Sequence, residues 1–66
     1  MDPINSIVIV LENSDEDVEL IVGEDGVESL KVAKTASGIE VLTVGADGEL
    51  IQGWPWNSIQ SYSIQK

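Results

Sequence analysis

Residues 39–54 have the sequence IEVLTVGADGELIQGW, in which a short polar turn separates two apolar stretches. Ile39 to Val44 and Glu49 to Trp54 are each typical of a β-strand, and Asp47–Gly48 between them supplies the positive φ that a hairpin turn needs. Pro55 has no backbone N–H to donate, so we expect the second strand to lie at a sheet edge or to end there. This hairpin indicates an antiparallel β fold.

Three segments outside the hairpin are also predicted as strands. Ser6 to Leu11 is apolar at every position after the serine, which indicates a central strand buried on both faces. Val18 to Val22 is a shorter strand that ends at a turn rich in glycine and acid. Ser61 to Gln65 follows a tight turn and has Tyr62 and Ile64 facing inward.

Residues 27–37 fit two structures. As a helix, the segment has Asp25 as an N-cap, apolar residues on one face and Gly38 just beyond its end. As a strand over Ser29–Lys34, it leads through one turn straight into the hairpin. We favour the strand and keep a short helix within 27–36 as the alternative.

We expect residues 1–66 to form one small domain. A fold of this length buries only about 60% of the surface that its unfolded chain exposes, so docking onto a partner or a second copy would add buried area. The sequence contains no cysteine, which excludes disulfides and fits a reducing compartment. Because it shows neither a basic signal segment nor a run of about 18 apolar residues, we expect a cytoplasmic protein.

The net charge of −9 is confined to the N-terminal half. Positions 1–30 contain no base and nine acids, which are Asp2, Glu12, Asp15, Glu16, Asp17, Glu19, Glu24, Asp25 and Glu28. In positions 31–66 three acids balance three lysines. Such a field attracts basic protein surfaces and repels phosphates, so we predict no direct nucleic-acid binding and no membrane binding. Solubility alone is the other explanation of the charge.

The usual catalytic side chains are missing. Histidine, cysteine and arginine are all absent, so no serine has a histidine to activate it. Counted from Asn13, the acidic loop has part of the spacing of a calcium-binding loop, but Val18 stands at the sixth position, where the turn needs glycine. We therefore predict no enzymatic activity, no catalytic residue, no metal site and no cofactor.

All aromatic residues lie in the uncharged segment 50–65. In an extended chain Trp54 and Trp56 project to the same face, with Pro55 opposite. One interpretation is that these indoles and Tyr62 form the core of a chain that has no phenylalanine. The other is that one indole stays exposed as an anchor for a partner, because Trp and Tyr are enriched at interface hot spots.

Residues 29–65 resemble part of the PH superfold. The stretch from Gly38 to Val44 is followed by a polar turn and by ELIQGWPWNSIQSY over residues 49–62, where Ile59 lies five positions after Trp54. This pattern is most similar to the F3 lobe of FERM domains in talin and ezrin-like proteins. The resemblance implies a non-catalytic adaptor that binds peptides, other domains or phosphoinositides, with Trp54 and Ile59 buried in the sheet.

Two parts of that family have no counterpart in this sequence. They are the C-terminal helix that forms one wall of the peptide groove and the basic lipid-binding residues. The resemblance therefore supports strand pairing but carries over neither peptide nor lipid binding. We predict a mainly β fold, a small antiparallel sheet of five or six strands curled into a PH-like or SH3-like half barrel.

The predicted function is a protein–protein interaction module. Its partner is another protein with a basic or apolar surface, and self-association into a homo-oligomer is left open. The predicted contact residues are aromatic or acidic: Trp54, Trp56, Tyr62, Asp15, Glu16, Asp17, Glu24 and Asp25. The alternatives are a small acidic inhibitor that mimics nucleic acid in a basic groove and a self-assembling structural subunit.

Overall fold

The computed structural model describes residues 1–66 and contains seven strands and one short 3₁₀ turn. They are β1 (Asp2–Ile4), β2 (Ser6–Leu11), β3 (Asp17–Ile21), β4 (Val27–Lys34), β5 (Gly38–Gly45), β6 (Gly48–Pro55), the turn Trp56–Ser58 and β7 (Ile59–Gln65). Strands hold 68% of the residues and helical turns 5%, so the prediction of a mainly β fold is confirmed. No helix here has the length and apolar character that crossing a membrane would take.

The strands form two antiparallel sheets that do not close into a barrel. One sheet has the order β1-β4-β5-β6 and the other the order β3-β2-β7. The chain passes from one sheet to the other at Asn5, at residues 22–26 and at residues 56–58. These three crossings explain why the strands expected in one curled sheet are divided between two.

The β5–β6 hairpin is confirmed. Its register runs unbroken from Gly38 opposite Pro55 to Gly45 opposite Gly48. Gly48 has a φ of +118°, a conformation that residues with a side chain rarely adopt. β6 lies at the sheet edge and ends at Pro55, as the missing N–H requires.

Three further segments refine the prediction. Residues 27–34 form strand β4, which pairs with β1 on one side and β5 on the other, so the helix alternative for 27–36 is wrong. β1 was not predicted; it pairs Asp2–Ile4 with residues 30–32. β2 is central in its sheet, but Val8 and Val10 are only half-buried because no second layer covers that face.

The hydrophobic core is shared by the two sheets and is entirely aliphatic. Its buried members are Ile4, Ile7, Ile9, Val27, Leu30, Val32, Ile39 and Val41. No polar or charged residue is buried. Trp54, Ile59 and Ile64 pack against this cluster from its periphery. The aromatic residues are therefore not the centre of the core.

Candidate binding surface

Trp56 and Tyr62, which we call the aromatic pair, lie side by side on the surface. Trp56 opens the 3₁₀ turn after β6, and Tyr62 lies on β7. Their ring centroids are 5.9 Å apart and the ring planes are inclined by 49°. The two side chains are 36% and 41% exposed, respectively. Two large aromatic side chains thus form one continuous exposed surface.

Trp56 is held in place although it is exposed. Its indole Nε1 donates a hydrogen bond of 2.7 Å to the carbonyl of Thr35, and its backbone N–H donates to the carbonyl of Ser37 at 3.2 Å. Both acceptors lie in the turn between β4 and β5. The Thr35 hydroxyl in turn accepts from the backbone N–H groups of Ser37 and Gly38. The indole is therefore anchored to a turn that has its own hydrogen bonds.

Tyr62 reaches the surface because of its position in the sheet. It lies opposite Ile9 on the inner face, as predicted, and Ile64 lies opposite Ile7. However, β7 is an edge strand, so one side of the Tyr62 ring is left uncovered. The ammonium of Lys34 lies 5.9 Å from the centre of this ring, within the range of a cation–π contact.

A groove of about 310 Å³ opens beside Tyr62, between the two sheets. Its lining residues come from β1, β4, β7 and the residue after β7: Asp2, Ile4, Val32, Lys34, Tyr62, Ile64 and Lys66. The floor is aliphatic, and two of the three lysines of the chain stand at its rim. The groove therefore combines apolar contact area with two lysines and one aspartate, in a protein whose net charge is −9.

The predicted acidic contact residues are all exposed, but they do not form one cluster. Asp15 and Glu16 immediately precede β3 and Asp17 is its first residue, whereas Glu24 and Asp25 lie in the turn beyond its end. A five-residue strand separates the two groups by roughly 16 Å. The acids thus form a band along the edge strand β3, and no group of three acidic side chains converges as metal ligands would.

The structure separates the two sets of predicted contact residues. The acidic band follows β3 and Tyr62 lies on β7, and these are the opposite edges of the three-stranded sheet. Adjacent strands are about 4.8 Å apart, so roughly 10 Å separates the two edges. Trp54 is half-buried against the core and is not part of the exposed pair. The extended chain ends at the 3₁₀ turn that begins at Trp56, so the extended-chain geometry expected for the two indoles does not apply.

Several surface residues were missed by the sequence reasoning. Lys34 and Lys66 stand at the rim of the groove, but they are far apart in sequence, so no local pattern links them. Leu50 and Ile51 are the most exposed large aliphatic residues of the chain. The sequence did contain a signal for an exposed apolar residue here. Adjacent residues of a strand point to opposite faces, so one of two neighbouring apolar side chains must face away from the core.

Comparison with known protein-family models, with curated proteins and with solved structures gives no significant match. The resemblance of residues 29–65 to the PH superfold accordingly stays an interpretation of the sequence.

Proposed function

We propose that this chain is a non-catalytic protein-interaction module that binds its partner through the aromatic pair and the adjoining groove. The observation that carries the proposal is that Trp56 is both exposed and hydrogen-bonded to the Thr35 carbonyl. A tryptophan that served only the core would be covered, whereas Trp54 packs against the core and is half-buried. A fixed and exposed indole is instead typical of a residue that contributes to a binding interface.

The geometry of the aromatic pair favours tight contact with a partner. A buried indole or phenol ring contributes about 150–250 Å² of contact area. Because hydrogen bonds already fix the position of Trp56, little side-chain entropy remains to be lost on binding. The aliphatic floor of the groove extends this area beyond Tyr62. We therefore expect an apolar segment of the partner to pack against Trp56 and to enter the groove.

The acidic band has a different role in this proposal. It lies on the edge opposite Tyr62, where it sets the long-range field without occupying the contact surface. Such a field raises the association rate with basic partners and has less effect on the stability of the docked complex. The partner is thus a protein that combines an apolar contact segment with a basic surface nearby.

The test is capture of partners on the immobilised protein in 50 mM and 500 mM NaCl, with identification by mass spectrometry. Trp56→Ala and Tyr62→Ala are compared with Ser63→Ala, which alters an exposed residue on the opposite face of β7. We expect one set of proteins to be retained by the parent and by Ser63→Ala at both salt concentrations and to be lost with both aromatic variants. Circular dichroism of each variant confirms that it is folded.

Two outcomes would contradict the proposed function. If folded Trp56→Ala and Tyr62→Ala proteins retain the same partners as the parent, the aromatic pair is not the binding surface. If capture also disappears at 500 mM NaCl and depends on the acidic side chains of the band, the proposed function is wrong and the second candidate is supported.

The second candidate is a small acidic inhibitor that occupies the basic groove of a nucleic-acid enzyme. The observation that favours it is the band of acids at both ends of β3, with Glu19 exposed between them. Its binding would weaken steeply with salt, because many exposed charges contribute. Two double variants test it: one combines Asp15→Asn with Asp17→Asn, and the other combines Glu24→Gln with Asp25→Asn. Each would reduce this binding, whereas Trp56→Ala would leave it unchanged.

A further inference from the structure

The free edge of β6 has the features of a strand that pairs with another chain. β6 is eight residues long and its register with β5 has no bulge. Leu50 and Ile51 are 57% and 65% exposed and project to opposite faces of the sheet. The one charged residue on the strand is Glu49. A long, regular, apolar edge leaves unpaired backbone N–H and C=O groups in a row, which is a template for another strand.

The other three edges differ from β6. β1 has three residues, and Pro3 among them cannot donate a ladder hydrogen bond. β3 carries exposed Asp17 and Glu19 and is flanked by acidic turns. The outer face of β7 presents polar side chains such as Ser63, and the strand borders the groove. Short length, proline, charge and β-bulges are the usual means of blocking edge pairing. β7 has a bulge in its pairing with β2, and β6 lacks all four features except at its ends.

We infer that a second copy of this chain pairs with β6, antiparallel and about a two-fold axis, and joins two four-stranded sheets into one continuous sheet. This inference goes beyond the proposed function, because it uses the sheet edge opposite β1 and not the aromatic pair. A symmetric pair is the commonest form of self-association in soluble proteins and needs only one self-complementary surface.

The charges of β6 are compatible with this pairing. An axis through Ile51 places Ile51 against the same residue of the second copy, Leu50 against Gln52, and Glu49 against Gly53. No two acids are then direct neighbours across the new pair. Glu40 lies opposite Gly53 on β5, one strand further away and thus about 10 Å from the incoming glutamate. The nine N-terminal acids lie outside this hairpin.

The available area predicts a weak dimer. A stable interface buries about 800 Å² on each partner, which is roughly a fifth of the 4421 Å² surface of this chain. One strand edge with the side chains of Leu50 and Ile51 covers less than that. Two copies of charge −9 also repel each other. We therefore expect a dissociation constant of roughly 10 µM to 1 mM that becomes smaller as salt screens the repulsion.

The first experiment is sedimentation equilibrium of the full chain from about 10 µM to 1 mM in 50 mM and 500 mM NaCl. We expect a reversible monomer–dimer equilibrium that is tighter at the higher salt concentration. The opposite salt dependence would mean that association uses the acidic surface. A monomer at 1 mM in both buffers would overturn the inference.

Two variants separate this interface from the proposed binding surface. Ile51→Lys places like charges at the two-fold axis and is expected to weaken dimerisation at least tenfold, while capture of other proteins by Trp56 and Tyr62 is unchanged. Trp56→Ala is expected to leave the dimer intact. If Trp56→Ala dissociates the dimer and Ile51→Lys does not, the dimer interface lies at the aromatic pair and the inference about β6 is wrong.

The absence of cysteine allows a direct test of the register. In an antiparallel pair, directly opposite Cα atoms are about 4.5–5.5 Å apart, within the range that a disulfide spans. We expect Ile51→Cys to form a covalent dimer under mild oxidation, and Ser63→Cys, on the outer face of β7, to form one much more slowly. Equal rates for both variants would mean random collision and would contradict pairing at Ile51.

Discussion

The indole N–H of Trp56 donates a 2.7 Å hydrogen bond to the backbone carbonyl of Thr35, across 21 positions of the sequence. This bond joins the link between the two sheets to the turn between β4 and β5. One hydrogen bond therefore both stabilises the fold and holds the indole of the proposed binding surface in position.

Replacing Trp56 by phenylalanine tests how much that hydrogen bond contributes to the stability of the fold. Trp56→Phe keeps a ring near Tyr62 but removes the donor, so we expect the free energy of unfolding to fall by about 1 kcal/mol. For a domain of this size that corresponds to a decrease in Tm of roughly 4–8 °C. The measurement is thermal unfolding followed by circular dichroism. Tyr62→Phe, which keeps the ring, serves as the control, and an equal decrease in both variants would contradict the prediction.

Two glycines of the β5–β6 hairpin should respond differently to alanine. A Cβ on Gly38 would overlap the carbonyl oxygen of Trp54 and approach the Cα of Pro55 to 2.8 Å, so Gly38→Ala forces these backbones apart. We expect a loss of about 1–3 kcal/mol in unfolding free energy, measured with urea. At Gly53 the nearest atoms would lie 3.8 Å from the new Cβ, so Gly53→Ala should be neutral or slightly stabilising. Tolerance of alanine at Gly38 would mean that the strands are not this close.

Two threonines form a second matched pair. The hydroxyl of Thr43 is buried and has no hydrogen-bond partner, so Thr43→Val removes a polar group that burial disfavours. We expect a gain of about 1 kcal/mol in unfolding free energy. The hydroxyl of Thr35 accepts two backbone N–H groups and donates to the carbonyl of Gly38, so Thr35→Val should lose about 1–2 kcal/mol. Denaturant unfolding of the two variants should thus give changes of opposite sign.

Salt should stabilise the monomer. The nine acids of residues 1–30 repel one another, and added NaCl screens this repulsion. We expect the Tm to rise by several degrees, about 5 °C, between 20 and 300 mM NaCl at low protein concentration. The combined variant Asp15→Asn, Glu16→Gln, Asp17→Asn should show a smaller rise.

A control for the salt effect comes from the balanced half of the chain. Neutralising Glu40, Asp47 and Glu49 removes the same number of charges where lysines offset them. This variant should keep most of the salt dependence. If the two triple variants behave alike, the position of the acids along the sequence does not determine the repulsion.

The strands were largely predictable because their signals are local. Alternation of side chains and the turn residues Asp47–Gly48 indicate the hairpin without knowledge of its neighbours, and Pro55 marks its end. β1 was missed because three residues that include a proline show no periodicity. Residues 27–37 fit both a helix and a strand in isolation, with the strand favoured, and pairing with β1 and β5 makes residues 27–34 a strand.

The candidate site was predictable in its residue types but not in its arrangement. Local sequence suffices to show an acidic N-terminal half, an uncharged aromatic segment and a chain rich in β-strands, because composition and period depend on neighbours in the chain. Which strands share a sheet depends on pairs distant in sequence, such as Tyr62 with Ile9. Likewise, the hydrogen bonds to Thr35 and Ser37 and the crossing at residues 56–58 hold Trp56 at the surface, while Trp54 packs against the core. Burial is a property of the packed sheets, and two indoles separated by one proline can lie in different environments.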